Sequence, residues 1–274
     1  MKKIEDVLPE KNVDSIPVIP QLLGHEAEEF VELGNRLYEL GYNTLNWNMG
    51  CPMRRVAAKH RGSGILPYPD EIRAILDTVF PRMKASLSVK VRLGYYSDKE
   101  IDAVIPVLND YPLESITVHP RIGKQVYSGR PDLKRLAEIL PAIKHQVIYN
   151  GDICSIDDYA KIRQKFPDIK DVMIGRGALY NPLLPLQIKD AFPSDFTSCV
   201  PLPLSDAPTA GCFILSLIDD ILALSISDEA KVRKIKEYWC LLSKAVPGTE
   251  ERKRRVLHAS ERDEMLRLIF EMTK

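Results

Sequence analysis

The chain holds 274 residues, 45% of them apolar and 28% charged, with 38 basic side chains against 38 acidic ones. That size admits one large domain, or a large one and a small one, and the composition excludes a disordered or low-complexity chain; at zero net charge a phosphate-rich partner needs a local basic patch. Five scattered cysteines (Cys51, Cys154, Cys199, Cys212 and Cys240) with no C-x-x-C pair argue against a disulfide framework or zinc site and for a reducing cytoplasm, and the lack of an h-region or of an apolar run near ~20 residues argues against a signal peptide or membrane span.

In chain order, short β-like runs alternate with helical ones. PVIPQLLG (17–24) reads as the first strand. The segment after it spaces Ala27, Phe30, Val31, Leu37 and Leu40 as an amphipathic helix that Gly41 ends. NTLNWNMG (43–50) is the second strand, and PDEIRAILDTVF (69–80) a helix opened by Pro-Asp. LSVKVRLG (87–94), ESITVHP (114–120), KHQVIYNGD (144–152) and KDVMIGRG (170–177) bring the strands to six. Such alternation, at roughly 30 residues per unit, predicts an α/β fold: a TIM-type (β/α)8 barrel that is N-terminally incomplete, two strands short of closure. The texture changes after Ala178. We expect a barrel over 1–182, a proline-rich connector over 183–208, and a small helical domain over 209–274 built from three helical stretches.

Side chains alternate across a strand. Val89, Val91 and Leu93 therefore share one face and Ser88, Lys90 and Arg92 the other; Asn46 and Asn48 oppose Leu45, Trp47 and Met49. The apolar face suits packing against helices, and the other points into the barrel. Nearly every strand carries a polar residue near its C-terminal end: Gln21, Asn48, Lys90, His119, Asn150 with Asp152, and Arg176. A buried polar group is costly unless paired, and one alone is usually a satisfied core residue. Six such positions at the end where parallel α/β folds bind ligands predict a polar ligand across the barrel mouth. YNGDI and IGRGALYNP, each with glycine beside a strand end, have the character of phosphate-binding turns. Cys51, between Gly50 and Pro52, stands at the same rim and is the candidate for chemistry, while the other four cysteines read as inert.

In order along residues 17–182, IPQLLG, LNWNMGCPMRRVAAKHRGSGIL, VKVRLG, ITVHPRIGKQVYSG, VIYNGDI and VMIGRGALYNP resemble successive motifs of the tRNA-dihydrouridine synthase family. VRKIKEYWCLLSK is similar, less specifically, to its helical domain. The resemblance implies an FMN-binding barrel followed by a helical bundle. It implies reduction of the 5,6 double bond of selected uridines in tRNA, with NADPH (or NADH) as reductant, hydride passing from flavin N5 to C6 and a cysteine protonating C5. Carried over, Cys51 is the proton donor, a role within reach of a protonated thiol. Gln21 and Lys90 contact the isoalloxazine, Lys90 stabilising negative charge near N1 and O2. His119 lies beside the flavin or its phosphate. Asn150, Gly151, Asp152, Gly175 and Arg176 hold the ribityl-phosphate end, and Asn48 and Arg121 contact the uracil. The target base must leave its stack. Arg54 and Arg55, with Lys59 and Arg61, and Arg252, Lys253, Arg254 and Arg255 are expected to meet RNA phosphates.

The family's opening strand, helix and second strand have no counterpart before residue 17, where the resemblance begins. Two rivals follow: a catalytically silent remnant that still binds tRNA through its helical domain, and another FMN barrel acting on free pyrimidines. The helical domain and the lack of Fe–S cysteine clusters count against the second.

Overall fold

The computed structural model describes residues 7–12, 16–196 and 209–273. Its strands are β1 (Gln21–Leu22), β2 (Thr44–Met49), β3 (Ser86–Gly94), β4 (Ile116–Ile122), β5 (Val147–Asn150) and β6 (Asp171–Met173). They form one sheet in strict chain order, and every pairing is parallel. A doubly wound sheet reverses its order at a switch point, whereas a (β/α) barrel adds each strand beside the last. The fold is therefore an incomplete (β/α) barrel of six strands with a helical C-terminal region.

The outer strands are shorter than the sequence predicts. Of 17–24 only two residues pair, because Pro17 and Pro20 have no N–H to give a ladder. The helices are α1 (Ala27–Glu39), α2 (Arg54–Ala57), α3 (Pro69–Val79), α4 (Glu100–Asn109), α5 (Leu133–Ile139), α6 (Ile156–Lys165), α7 (Arg176–Tyr180), α8 (Leu184–Ala191), α9 (Ala210–Ala223), α10 (Asp228–Leu242), α11 (Glu250–His258) and α12 (Arg262–Thr273). The third C-terminal stretch is thus two helices. The chain turns extended at Ala259, whose carbonyl accepts from Lys236 Nζ at 2.7 Å. The first part of the connector forms α8; residues 197–208, with Cys199, lie outside the described residues.

The chain divides into two compact units, Met1–Gly151 with Asp168–Met173, and Asp152–Pro167 with Ile174–Lys274. The first holds the whole sheet. Its register sets Met49, Val91, Val118 and Tyr149 side by side, and next to them Trp47, Val89 and Ile116; all seven are buried. Burying such side chains contributes about 1.5–3 kcal/mol each and makes this apolar face the core. Trp47 packs edge-on against Phe30 of α1 and donates from its indole to Gly24 O at 3.0 Å. In the second unit α9–α12 enclose Ile218, Trp239, Val256, Ile269 and Met272. Thr209, Ser227 and Thr249 cap α9, α10 and α11 by accepting backbone N–H bonds.

Candidate functional site

The other face of the sheet is polar, as the alternation requires. The register aligns Gln21, Asn46 and Ser88 in one row, Asn48, Lys90 and Thr117 in the next, and Arg92 with His119 in a third. The amides of the first two rows form a directed chain. Asn48 Nδ2 donates to Gln21 Oε1 (2.6 Å), Gln21 Nε2 to Asn46 Oδ1 (2.8 Å), Asn46 Nδ2 to Ser88 Oγ (2.9 Å), and Ser88 Oγ to Leu45 O (3.1 Å). Each group donates one way and accepts the other, which satisfies polar atoms that would otherwise be costly under the sheet.

Asn48 also shapes the loop after β2. Its Oδ1 accepts from the N–H groups of Gly50 (3.0 Å) and Cys51 (2.9 Å). The Cys51 carbonyl accepts from Ser63 N (3.0 Å) and Ser63 Oγ (2.9 Å). Gly62 sits at φ +58, and a Cβ there would stand 2.6 Å from Cys51 Cβ. The only cysteine of the rim is thus gripped on both sides of its peptide, with its thiol side partly exposed. Arg54 and Arg55 follow on α2, both exposed. Arg61 is less available than the sequence suggests: its Nε donates to His25 Nδ1 at 3.0 Å. A guanidinium only donates, so that nitrogen of His25 accepts, and Nε2 carries the proton toward Glu26 at 3.1 Å.

Lys90 stands beside this loop, its Nζ 3.5 Å from the point a Gly50 Cβ would occupy. Among the described residues it makes no hydrogen bond or ion pair. Burial first, then the like charge of Arg92, lowers its pKa from 10.5 to about 8, against the pull of the Cys51 sulfur. Arg92 is buried and fastens three loop carbonyls: Nε donates to Gly50 O (3.0 Å), Nη1 to Ile122 O (2.9 Å) and Nη2 to Val126 O (2.7 Å). It so ties the Cys51 loop to the loop after β4. Val126 is held at φ 52, a region costly for a β-branched residue.

On β4, Arg121 Nη1 lies 3.1 Å from His119 Nε2, while Nε and Nη2 donate to Ser128 O (3.3 Å) and Gly129 O (2.7 Å). By the same argument His119 Nε2 accepts and the ring proton sits on Nδ1. Both side chains are buried. At the end of β5, Asn150 Nδ2 donates to Met173 O at 2.8 Å across to β6, and Gly151 packs against the Tyr149 hydroxyl.

The remaining expected residues belong to the second unit. Arg176 Nη2 donates to Asp152 Oδ1 at 2.8 Å, with Asp152 at φ 43. Gly177 lies so close to the Ile153 carbonyl that no Cβ fits, whereas a Cβ on Gly175 would meet nothing within 4 Å. Cys154 has its pKa raised, first by burial and then by the Asp158 and Asp152 carboxylates, which keeps it an unreactive thiol. On α11, Arg252 pairs with Glu271 (3.5 Å) and Lys253 with Glu250 (3.5 Å), while Arg254 and Arg255 are exposed.

The first unit thus gathers Gln21, Asn48, Cys51, Lys90, His119 and Arg121 on one face, and the second gathers Asp152, Gly175 and Arg176 on one turn. Sequence reasoning missed Asn46, Ser63, Ser88 and Arg92 as members. Period-two alternation already put Asn46, Ser88 and Arg92 on the polar face; nothing local marked Ser63. The donor set fits a flavin. A largely enclosed ammonium without an anionic partner suits the electron-rich edge of the ring, the amide row offers both donors and acceptors, and the bare Cα of Gly175 beside Arg176 leaves room for a phosphate. Among the described residues no group of three or more His, Cys, Asp or Glu side chains is placed to hold a metal ion, and no helix is long and apolar enough to cross a membrane.

Comparison with known proteins gives relatives of one kind. The chain is 28% identical over 165 residues to tRNA-dihydrouridine synthase B of Pasteurella multocida, covering 60% of this chain and 49% of that protein. It is 30% identical over 195 residues to a probable tRNA-dihydrouridine synthase 1 of Synechocystis, covering 70% and 53%. Against the tRNA-dihydrouridine(16) synthase of Neisseria meningitidis it is 25% identical over 267 residues, covering 96% and 78%. The first two matches span about half the length of those relatives. The family model described as dihydrouridine synthase (Dus) matches residues 2–264, nearly the whole chain, which therefore belongs to the dihydrouridine synthase family.

Proposed function

We propose that this protein reduces the C5=C6 bond of uridine in tRNA, using FMN and NADPH or NADH. The observation that carries the reading is the pairing of Cys51 with Lys90 on the polar face: a thiol held by its backbone beside a poorly solvated, unneutralised ammonium. FMN, when bound, supplies hydride to C6 of the base. Cys51 delivers the proton to C5, and the clamp of Asn48, Ser63 and Gly62 holds its sulfur in place. Lys90 offers positive charge to the flavin edge, and because its pKa is near neutral a bound anionic edge draws it fully into the charged form. Gln21 orients the ring through the amide row. His119 and Asn150 border the cofactor, and Asn48 and Arg121 serve the uracil. Gly151, Asp152, Gly175 and Arg176 hold the phosphate end. Residues 1–182 form the catalytic part and 209–274 the tRNA-binding part, with Arg54, Arg55, Arg254 and Arg255 on phosphates.

The test is to load the protein with FMN, supply NADPH or NADH and an unmodified tRNA transcript, and count dihydrouridine by mass spectrometry. We expect product from the wild type. Cys51→Ala should keep its flavin absorption while slowing the reaction by about 10²- to 10⁴-fold. A wild type that shifts tRNA on a gel but takes up no flavin would mark a silent tRNA binder. Reduction of free uracil but not of tRNA would mark a pyrimidine enzyme. Either result ends this reading.

A further inference from the structure

Three exposed tyrosines stand on the loops that follow β2, β3 and β4, and each is backed by a nitrogen-bearing group. Tyr68 (38% exposed) stacks on His60, with ring centroids 4.0 Å apart and planes 13° apart. Tyr96 (58% exposed) has Lys124 Nζ 4.9 Å from its ring centre. Tyr127 (50% exposed) lies against Arg92 at 5.6 Å.

The Tyr96 corner is rigid. The Glu100 carboxylate accepts from the N–H groups of Tyr95 (2.7 Å), Tyr96 (3.1 Å) and Ser97 (3.0 Å). Tyr95 packs edge-on against Tyr96 at 4.7 Å, and its carbonyl accepts from Lys124 N at 3.0 Å. This corner also abuts the reactive loop: the Tyr95 ring and the Ser63 hydroxyl both press on Gly123, and Ser63 grips Cys51 O. His60 is held in turn by Glu71 at 3.0 Å, so Tyr68 stacks on an anchored ring.

We propose that Tyr96 with Lys124, and Tyr68 with His60, form a stacking platform for unpaired RNA bases that flank the reacting uridine. The inference rests on the function proposed above and names the form of RNA that the site takes. An open aromatic face set beside a cation matches a base joined to its phosphate. A protein partner would rather meet Leu or Met anchors, and duplex RNA hides its base faces inside the stack. A strand segment carrying one extruded nucleotide presents unstacked neighbours, and a fixed ring at the rim gives them somewhere to rest.

The experiment uses the full-length protein, an RNA hairpin with uridines and one 2-aminopurine in its loop, and a duplex of the same composition. Tyr96→Ala should weaken hairpin binding by about 5- to 100-fold, abolish quenching of the 2-aminopurine, and leave duplex binding unchanged. Tyr96→Phe, which keeps the ring, should behave as wild type, and circular dichroism melts should match throughout. The proposal fails if Tyr96→Ala binds the hairpin like wild type, if it loses hairpin and duplex equally, or if Tyr96→Phe is as weak as Tyr96→Ala. Dihydrouridine formation that persists alongside any of these sinks the platform alone; a wild type that binds neither RNA sinks the RNA substrate with it.

Discussion

Replacing Lys90 by methionine should make the flavin-free protein more stable while destroying its affinity for FMN. The ammonium is charged in the unfolded chain below about pH 10.5 but in the folded one only below about 8. A group whose folded pKa is depressed in this way binds fewer protons when folded. Its burial penalty is present in full below pH 8 and fades as the pH rises toward 10.5, so wild-type stability should climb across that window. The 2.5-unit shift corresponds to about 3.4 kcal/mol as an upper bound, and integrating the two titrations leaves about 1.4 kcal/mol at pH 9.5. Lys90→Met should therefore gain up to about 3 kcal/mol at pH 7, and about 2 kcal/mol less than that at pH 9.5. Urea unfolding at both pH values checks this. A Trp239→Phe background leaves Trp47 on β2 as the sole tryptophan, reporting on the sheet unit alone. Other titrations cancel between variant and parent. A Lys90→Met protein less stable at pH 7, or an advantage equal at both pH values, would refute the claim that the ammonium is held at an energetic cost for a ligand.

Gly62→Ala should lower stability by about 1–2 kcal/mol, because alanine is strained at φ +58, and should slow reduction because the new methyl collides with Cys51; unchanged unfolding and turnover would show that the loop yields freely. Val126→Gly should hold or raise stability by up to about 1 kcal/mol in a urea titration, since it relieves the strained φ that Arg92 holds in place; a loss beyond 1 kcal/mol would show that the side chain matters more than the strain. Trp239→Phe should cost the helical unit about 1–3 kcal/mol by helical circular dichroism, as the bond from Nε1 to Lys253 O (2.9 Å) is lost and a buried void opens; an unchanged melt would place that bond outside the unit's stability.

Much of the architecture was legible in the chain because the signals are local. Alternation in SVKVRLG placed Val89 and Val91 on one face and Ser88, Lys90 and Arg92 on the other, and Gly41 at φ 100 ends α1 where a glycine was expected to end it. The break at Ala259 was not legible. Every residue around it suits a helix, and the interruption is held by Lys236, 23 positions away.

The sequence by itself determined the strand order of the barrel, its polar and apolar faces and the family, since a side chain's face depends only on its place in a period of two and a motif only on its neighbours. Tertiary structure alone decided which polar groups satisfy one another. That Gln21 answers Asn48, that Arg92 reaches past β4's end to Ile122 and Val126, and that Ser63 clamps Cys51 all depend on strand register and loop closure. Register joins residues distant along the chain at distances of about 3 Å. No local pattern encodes such a distance, and for this reason a lysine without a partner, on which the chemistry depends, emerges only once every neighbouring donor has been placed.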